Sequence, residues 1–127
     1  MSSCSICREV PGSHSFVKLS EENGVSFYYT CPAKASRYDD LEGIELHYRE
    51  ELSKLEGNRW VWILDGAGFD MKHAMELRVG IAIAKILEEY GVEKVYVMNR
   101  SIYVEIIRLG LWLLLSEELK SKIIWIN

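Results

Sequence analysis

One continuous apolar run constrains the fold more than any other feature of the chain. Residues 60–64 read Trp-Val-Trp-Ile-Leu, and turn-forming residues bound them, with Gly57 and Asn58 before the run and Asp65 and Gly66 after it. Short apolar runs of this kind are typical of strands buried on both faces, which occur mainly in parallel sheets packed against helices. The run therefore predicts a central strand.

Strand and helix patterns alternate on both sides of this run. Further strands are predicted at 25–30, 95–98 and 123–126, and helices at 39–55, 71–90 and 101–115, with Asp39 or Asp40 and Ser101 as N-caps. The alternation predicts an α/β fold, with a mostly parallel sheet of about four to five strands and right-handed crossovers. Residues 1–23 are polar and punctuated by Gly and Pro, so we expect a loosely structured segment there, in which Phe16, Val17 and Leu19 form a candidate short strand. Residues 24–127 are then a single α/β domain.

Composition excludes several classes of protein. The chain has 127 residues, the size of one domain, and a net charge of −4, which does not favour nucleic acid. The longest apolar stretch, 109–115, is too short for a transmembrane segment, and the N-terminus lacks a secretory apolar region. Three cysteines cannot all pair within one chain. We therefore expect a cytoplasmic protein that needs no cofactor to fold.

The pair Cys4-x-x-Cys7 is the candidate metal site. His14 and Cys31 are possible further ligands, because thiolate and imidazole suit tetrahedral zinc. A zinc ribbon would show a second close pair, which is missing here. The sequence therefore predicts incidental N-terminal cysteines and no bound metal, with Cys4 and Cys7 as the only candidates retained.

No enzyme signature stands out. The loop at Asp65-Gly66-Ala67-Gly68 has Met71 where a dinucleotide fingerprint needs a third glycine, so it predicts a tight turn in which Asp65 bonds local amides. There is no Gly-x-Ser-x-Gly motif, and His47 and His73 are expected on the solvated surface. We therefore predict a non-enzymatic protein.

The segment 102–115 is unusually apolar, with Glu105 and Arg108 as its only charged residues. Helical spacing places Ile102, Ile106, Leu109 and Leu113 on one face. A helix with so little polar surface is either buried on two sides or faces a ligand, a lipid or a partner.

The order of these elements resembles the CRAL-TRIO domain. The resemblance rests on residues 60–68 (Trp-Val-Trp-Ile-Leu-Asp-Gly-Ala-Gly), a helix, residues 95–99 (Val-Tyr-Val-Met-Asn), an apolar helix and Lys122-Ile123, and it extends upstream to Gly24. It covers residues 24–127. The resemblance implies a minimal form, without the helical module that often precedes the domain and without the family's usual C-terminal continuation.

The resemblance also implies a function. It implies non-catalytic binding of a lipid or other hydrophobic small molecule between the sheet and a gate-like helix, with Ile102, Ile106, Leu109 and Leu113 as lining residues. BCH-type members of the family, and the similar STAS domain, favour an alternative: a minimal protein-interaction domain. There the apolar helix 101–115 would contact a protein partner or form a homodimer.

Overall fold

The computed structural model describes residues 4–126, which fold as an α/β protein and confirm the predicted fold class. The helices are α1 (Ser5–Glu9), α2 (Leu41–Leu52), α3 (Met71–Ala74), α4 (Leu77–Glu89), α5 (Ile102–Trp112) and α6 (Glu117–Lys122). The strands are β1 (Val17–Glu22), β2 (Val25–Thr30), β3 (Arg59–Asp65), β4 (Lys94–Met98) and β5 (Ile123–Trp125).

The strands form one mostly parallel sheet in the order β1-β2-β3-β4-β5. β1 runs antiparallel to β2, and β2 to β5 are parallel to one another. Every strand therefore lies beside the strand that precedes it in sequence. The predicted central run is β3, which pairs with β2 on one side and with β4 on the other.

The two faces of the sheet differ in burial. Tyr28, Trp62 and Val95 are paired in register, and all three are buried on the face that packs against the helices. Their neighbours on the opposite face, such as Tyr29 and Tyr96, are only half-buried. Side chains alternate between faces along a strand, so one face carries the core and the other is partly open to solvent.

Side-chain caps fix the starts of four helices, among them α3, which Asp70 caps. Asp40 accepts a hydrogen bond from the Gly43 N–H at 3.2 Å, and Ser101 accepts one from the Val104 N–H at 3.4 Å, which confirms both predicted caps. Ser116 caps α6 in the same way. Each cap satisfies a main-chain N–H that has no partner within its own helix.

The prediction of a loosely structured segment over residues 1–23 is wrong for its described part, residues 4–23. This part contains α1 and β1, and Phe16 is completely buried. All the side chains of β1 are exposed, so main-chain pairing with β2 holds the strand. Apolar and polar residues alternate only over Val17–Ser20, and the polar run that follows at the exposed edge carries no strand signal, which is why the prediction missed the length of β1. Residues 1–3 and 127 lie outside the described part.

The single helix predicted over 71–90 is two helices. At Glu76, between α3 and α4, the main chain leaves helical geometry with ψ 60°. Met75, which lies at this break, is 74% exposed. The break allows α3 to pack against α5 while α4 packs against both α2 and α5.

An aromatic core, which we define as Phe16, Tyr28, Tyr48 and Trp60, lies between α2 and the first strands of the sheet. The Phe16 ring stacks on Tyr28 with centroids 4.8 Å apart and on Tyr48 at 4.0 Å, and Trp60 meets Tyr28 edge to face. Each of these residues is no more than 2% exposed. Large rings in offset or edge contacts fill this half of the core densely.

Candidate functional site

An apolar cavity of about 190 Å³ lies between the helix-facing side of the sheet and helices α4 and α5. Trp62, Val95 and Val97 of the sheet form part of its floor, and Val79 and Ile83 of α4 form part of its wall. The cavity extends from the carboxyl ends of the strands, near Phe69, towards β5. In α/β sheets, ligands usually bind at the carboxyl ends of the strands.

One face of α5 closes the cavity. Val104, Ile107 and Leu111 all line it, and their spacing of three and four residues places them on one side of the helix. Leu115, which follows the end of α5, lines the cavity as well. Val104 is only 5% exposed and is the buried residue of this face.

The four residues predicted to line a ligand site lie on the other side of α5. Ile102, Ile106, Leu109 and Leu113 are 70%, 39%, 66% and 89% exposed, and none of them lines the cavity. We call these four residues the outer face of α5. Their role in binding a ligand stays a prediction. The sequence did not separate the cavity side from the outer side because the segment is apolar on both: a shift of two positions rotates a helix by roughly 200°, and apolar spacing alone cannot distinguish the two faces.

Small residues let α4 and α5 approach each other closely beside the cavity. A Cβ atom on Gly80 of α4 would lie 2.9 Å from a methyl carbon of Leu111, and one on Gly110 would lie 3.3 Å from a methyl carbon of Leu77. A larger side chain at position 80 would therefore displace Leu111. The width of the cavity depends on this contact.

Polar groups lie at the ends of the cavity. At the end near β5, Arg108 donates to Glu105 at 2.7 Å, and its guanidinium lies over the rings of Trp112 and Trp125, 5.5 and 5.7 Å from their centroids. Its charge is therefore paired, and the aromatic rings cover its flat surface. This arrangement leaves the lining between the two ends apolar.

His73 and Tyr38 line the other end of the cavity, with their ring centroids 4.8 Å apart. His73 was predicted on the surface but is buried, and its Nδ1 accepts a hydrogen bond from the Asp70 N–H at 3.1 Å. Burial lowers the pKa of His73 and outweighs the opposite effect of Asp70. Burial therefore favours the neutral form of the imidazole beside the cavity.

The loop after β3 is held by Asp65. Its carboxylate accepts hydrogen bonds from the Tyr29 hydroxyl at 2.5 Å, the Asn99 amide at 2.7 Å and the Ala67 N–H at 2.9 Å. Burial works against the charge, but these donors outweigh it and keep the pKa of Asp65 below its usual value. A Cβ on Gly66 would lie 2.6 Å from the Asn99 carbonyl oxygen. The predicted tight turn with a local amide bond is confirmed.

The structure also brings together four metal-ligating side chains that are distant in sequence: Cys4, Cys7, His14 and His47. We call them the cysteine–histidine cluster. All four are buried, and their ligand atoms lie within 4.8 Å of one another. Cys31, the other candidate, lies outside the cluster, and its thiol contacts the Ala67 carbonyl oxygen.

Sequence reasoning missed His47, which was expected on the surface but is 4% exposed. The signal was present in the sequence. His47 lies three residues after Ile44 and directly before Tyr48, and both of these residues belong to the buried face of α2. Its helical position therefore indicated burial, although its neighbours in sequence are charged.

No protein-family model matches this chain, and no curated protein matches it. The fold and the sites define an α/β protein that has an internal apolar cavity and a cysteine–histidine cluster, which adjoins the cavity at His14. The CRAL-TRIO resemblance stays a prediction. The function must follow from the cavity and the cluster themselves.

Proposed function

We propose that this protein binds a small apolar molecule, without catalysing a reaction on it, in the cavity between the sheet and α5. The observation that carries the proposal is the apolar cavity, which is bounded by Val97 on the sheet and by Val104 and Leu111 on α5. Ligand pockets in proteins are mostly apolar, with a few polar groups that orient the ligand. This is also the place where the CRAL-TRIO resemblance implies a hydrophobic ligand.

The size of the cavity limits the ligand. A volume of about 190 Å³ is close to the engineered cavities of about 150 Å³ that accept benzene, and it is below the roughly 300–1,000 Å³ of sites for drug-sized molecules. We therefore expect a single-ring or short-chain apolar molecule. A whole phospholipid would require α5 to move away from α4, at the contact between Gly80 and Leu111.

The distribution of charge supports an uncharged ligand. Arg108 and Glu76 are the residues with charged side chains that line the cavity, and Arg108 is engaged by Glu105 and by two tryptophan rings. A charged group placed among the apolar side chains would lose its hydration and gain no partner there. Polar substituents of a ligand would reach only the ends of the cavity, where His73 and Tyr38 lie.

The experiment pairs a search for a native ligand with a defined probe. The purified protein is extracted with organic solvent for mass spectrometry, and toluene is titrated into it while the methyl resonances of Val104 and Leu111 are followed by NMR. We expect saturable shifts of these methyl groups. A fluorescent phospholipid, tested in parallel, determines whether α5 opens for a larger molecule. The proposal fails if no apolar molecule co-purifies and neither probe binds.

A matched pair of variants tests the location. Val97→Phe places a ring in the cavity and should abolish toluene binding, because Val97 lines it. Ile124→Phe adds the same ring on the neighbouring strand β5 at a side chain that is 36% exposed and does not line the cavity. That variant should bind toluene as the unmodified protein does. Equal loss in both variants would place the ligand elsewhere.

A second candidate function is protein interaction through the outer face of α5. Leu109 and Leu113 are exposed together with Ile102 and Ile106, and contiguous exposed apolar surface often marks a contact with a partner. Among residues 4–126, no helix combines the length and the apolar character that crossing a membrane requires. A partner protein or a second copy of the chain would cover this face.

Light scattering of Leu109→Glu beside the unmodified protein tests this candidate. Self-association through the outer face predicts a dimer that becomes a monomer in the variant, while toluene binding persists because Leu109 does not line the cavity. A monomer in both samples would exclude self-association, and an unchanged dimer would place the interface elsewhere.

A further inference from the structure

We propose that the cysteine–histidine cluster binds one Zn²⁺ ion through the sulfur atoms of Cys4 and Cys7 and the Nδ1 atoms of His14 and His47. All four side chains are buried, and no ligand atom is more than 4.8 Å from another. Two thiolates and two imidazoles are a donor set that zinc takes in closed tetrahedral sites. The proposal does not depend on the proposed ligand function, although the cluster adjoins the cavity at His14, which lines both.

The distances between ligand atoms match a tetrahedral zinc site. Zn–S bonds of about 2.3 Å and Zn–N bonds of about 2.0–2.1 Å at a tetrahedral angle place sulfur and nitrogen about 3.6 Å apart. His14 Nδ1 lies 3.5 Å from Cys4 Sγ and 3.7 Å from Cys7 Sγ, and His47 Nδ1 lies 3.5 Å from Cys7 Sγ. The cluster therefore needs little rearrangement to hold the ion.

Hydrogen bonds orient both imidazoles towards the sulfur atoms. His14 Nε2 is 2.9 Å from a carboxylate oxygen of Asp40, and His47 Nε2 is 2.9 Å from the main-chain oxygen of Phe16. Each acceptor favours the tautomer that carries its proton on Nε2, which leaves the Nδ1 lone pair for a metal. Histidine ligands of metals usually donate their second N–H to a carboxylate or a carbonyl in this way.

The fold explains how residues so far apart in sequence meet. Cys4 is the N-cap of α1 and Cys7 lies one turn later, so the first helix brings both sulfur atoms to one side. The chain then turns at Gly12, with φ 83°, and returns to place His14 beside α2. His47 comes from the inward face of α2.

Gly43 makes room for His14 on α2. A Cβ atom at this position would lie 2.9 Å from the Cε1 atom of the His14 ring and 2.0 Å from an Asp40 oxygen. Any larger residue would displace the ring or its hydrogen-bond partner. The glycine therefore leaves room first for the Asp40 carboxylate and next for the His14 ring.

Charge and access indicate a structural site. Two thiolates balance the two charges of Zn²⁺, so the occupied cluster is neutral apart from the Asp40 carboxylate, and a neutral cluster suits a buried location. Four protein ligands leave no open position for a substrate or for water. The ion would tie residues 4–14 to α2.

The first experiment measures metal content. The full chain is produced in zinc-supplemented medium, purified in reducing buffer without chelators, and analysed by elemental mass spectrometry; one zinc per chain is expected. Replacement by Co²⁺ should give the visible absorption of tetrahedral cobalt together with a thiolate-to-cobalt charge-transfer band. A folded protein that takes up neither metal would overturn the proposal, as would recovery of Cys4 and Cys7 as a disulfide from that buffer.

Matched variants locate the ligands. Cys7→Ser should lose at least tenfold in zinc affinity, whereas Cys31→Ser, which removes a buried thiol outside the cluster, should keep one zinc per chain. His73→Gln is the corresponding control for His47→Gln. An equal loss in a ligand variant and its control would contradict the assignment.

A ligand exchange covers the case in which ligand-deleted variants do not fold. His47→Cys keeps four donors, so it should still bind one metal ion per chain, with a stronger thiolate-to-cobalt band. Asp40→Asn keeps the cap of α2 but removes the charge beside His14, and it should lower zinc affinity by up to about tenfold. An unchanged cobalt spectrum in His47→Cys would exclude His47 as a ligand.

Discussion

The aromatic core and the apolar cavity occupy the same face of one sheet, yet they are packed in different ways. Under α2, the Phe16 ring stacks directly on Tyr48; both side chains are buried, and Tyr48 borders the cavity while Phe16 does not line it. Under α5, the side chains of Val104 and Leu111 leave a cavity of about 190 Å³. One half of the sheet is therefore closed by rings, whereas the other half has space for a ligand. The difference predicts that similar substitutions have opposite effects in the two halves.

The largest expected effect comes from breaking the aromatic core. Phe16→Ala removes a completely buried ring and should lower the free energy of unfolding by about 3–5 kcal/mol. Leu46→Ala is the control, because Leu46 is 60% exposed on α2 and its replacement should change stability by less than about 0.5 kcal/mol. Denaturant unfolding followed by fluorescence measures both. Similar values for the two variants would show that the stack does not stabilise this half.

The second effect concerns Asp65, whose hydrogen bonds connect β2 to the loop after β4. Asp65 accepts hydrogen bonds from Tyr29 on one side and Asn99 on the other, so Asp65→Asn should cost about 1–3 kcal/mol at neutral pH. Because the folded-state pKa of Asp65 is lowered, the carboxylate stabilises the protein above its ordinary pKa of 3.8, and this contribution is lost as the pH falls through the lower folded value.

Unfolding measured from pH 7 down to pH 3 tests this linkage. The difference in stability between Asp65→Asn and the unmodified protein should be constant at neutral pH and should narrow below about pH 3.8. If the difference in the free energy of unfolding did not change with pH, the negative charge of Asp65 would not contribute to stability.

The third effect compares one added methylene group in each environment. Val97→Ile extends a side chain into the cavity and should stabilise the protein by up to about 0.8 kcal/mol. Val92→Ile makes the same change at a completely buried residue that does not line the cavity, and overpacking there should cost about 1–3 kcal/mol. Thermal unfolding of the two variants shows whether each substitution stabilises or destabilises the protein. If both changed stability in the same direction, the proposed difference in packing would be wrong.

The smallest effect concerns His73 at the end of the cavity. Burial lowers the pKa of His73 below its ordinary value of 6.5. As the pH decreases through this range, the unfolded chain takes up a proton before the folded protein does, so the free energy of unfolding decreases. His73→Gln keeps an acceptor for the Asp70 N–H and removes this titration. The effect is small because the titration of a single imidazole is involved. Unfolding at pH 7 and pH 5.5 should show a smaller loss in the variant.

Local patterns in the sequence predicted most of the framework. The run at 60–64, the caps at Asp40 and Ser101 and the strand of β4 each carry their signal within a few residues, and the structure places all of them as expected. The fold class follows from their alternation. These features depend on local propensity and periodicity, which a single sequence contains.

The sites depend on contacts between distant residues, and these were harder to predict. His47 meets Cys7 only because α1 folds back onto α2, and the sequence between them carries no spacing rule for such a contact. The cavity face of α5 could not be chosen because both of its sides are apolar. Phe16 looked like part of a polar segment, although it enters the core between Tyr28 and Tyr48.

The strand order has a consequence for synthesis. Each strand pairs with the strand before it, so a chain emerging from the ribosome can extend the sheet one strand at a time. Phe16, Tyr28, Tyr48 and Trp60 all precede residue 65, so the rings can come together before the residues of α5 have been translated. The apolar cavity under α5 is complete only after β5, which contributes Ile123 and Trp125 to its lining, has paired with β4. A ligand of the cavity would therefore be enclosed at the last step of folding.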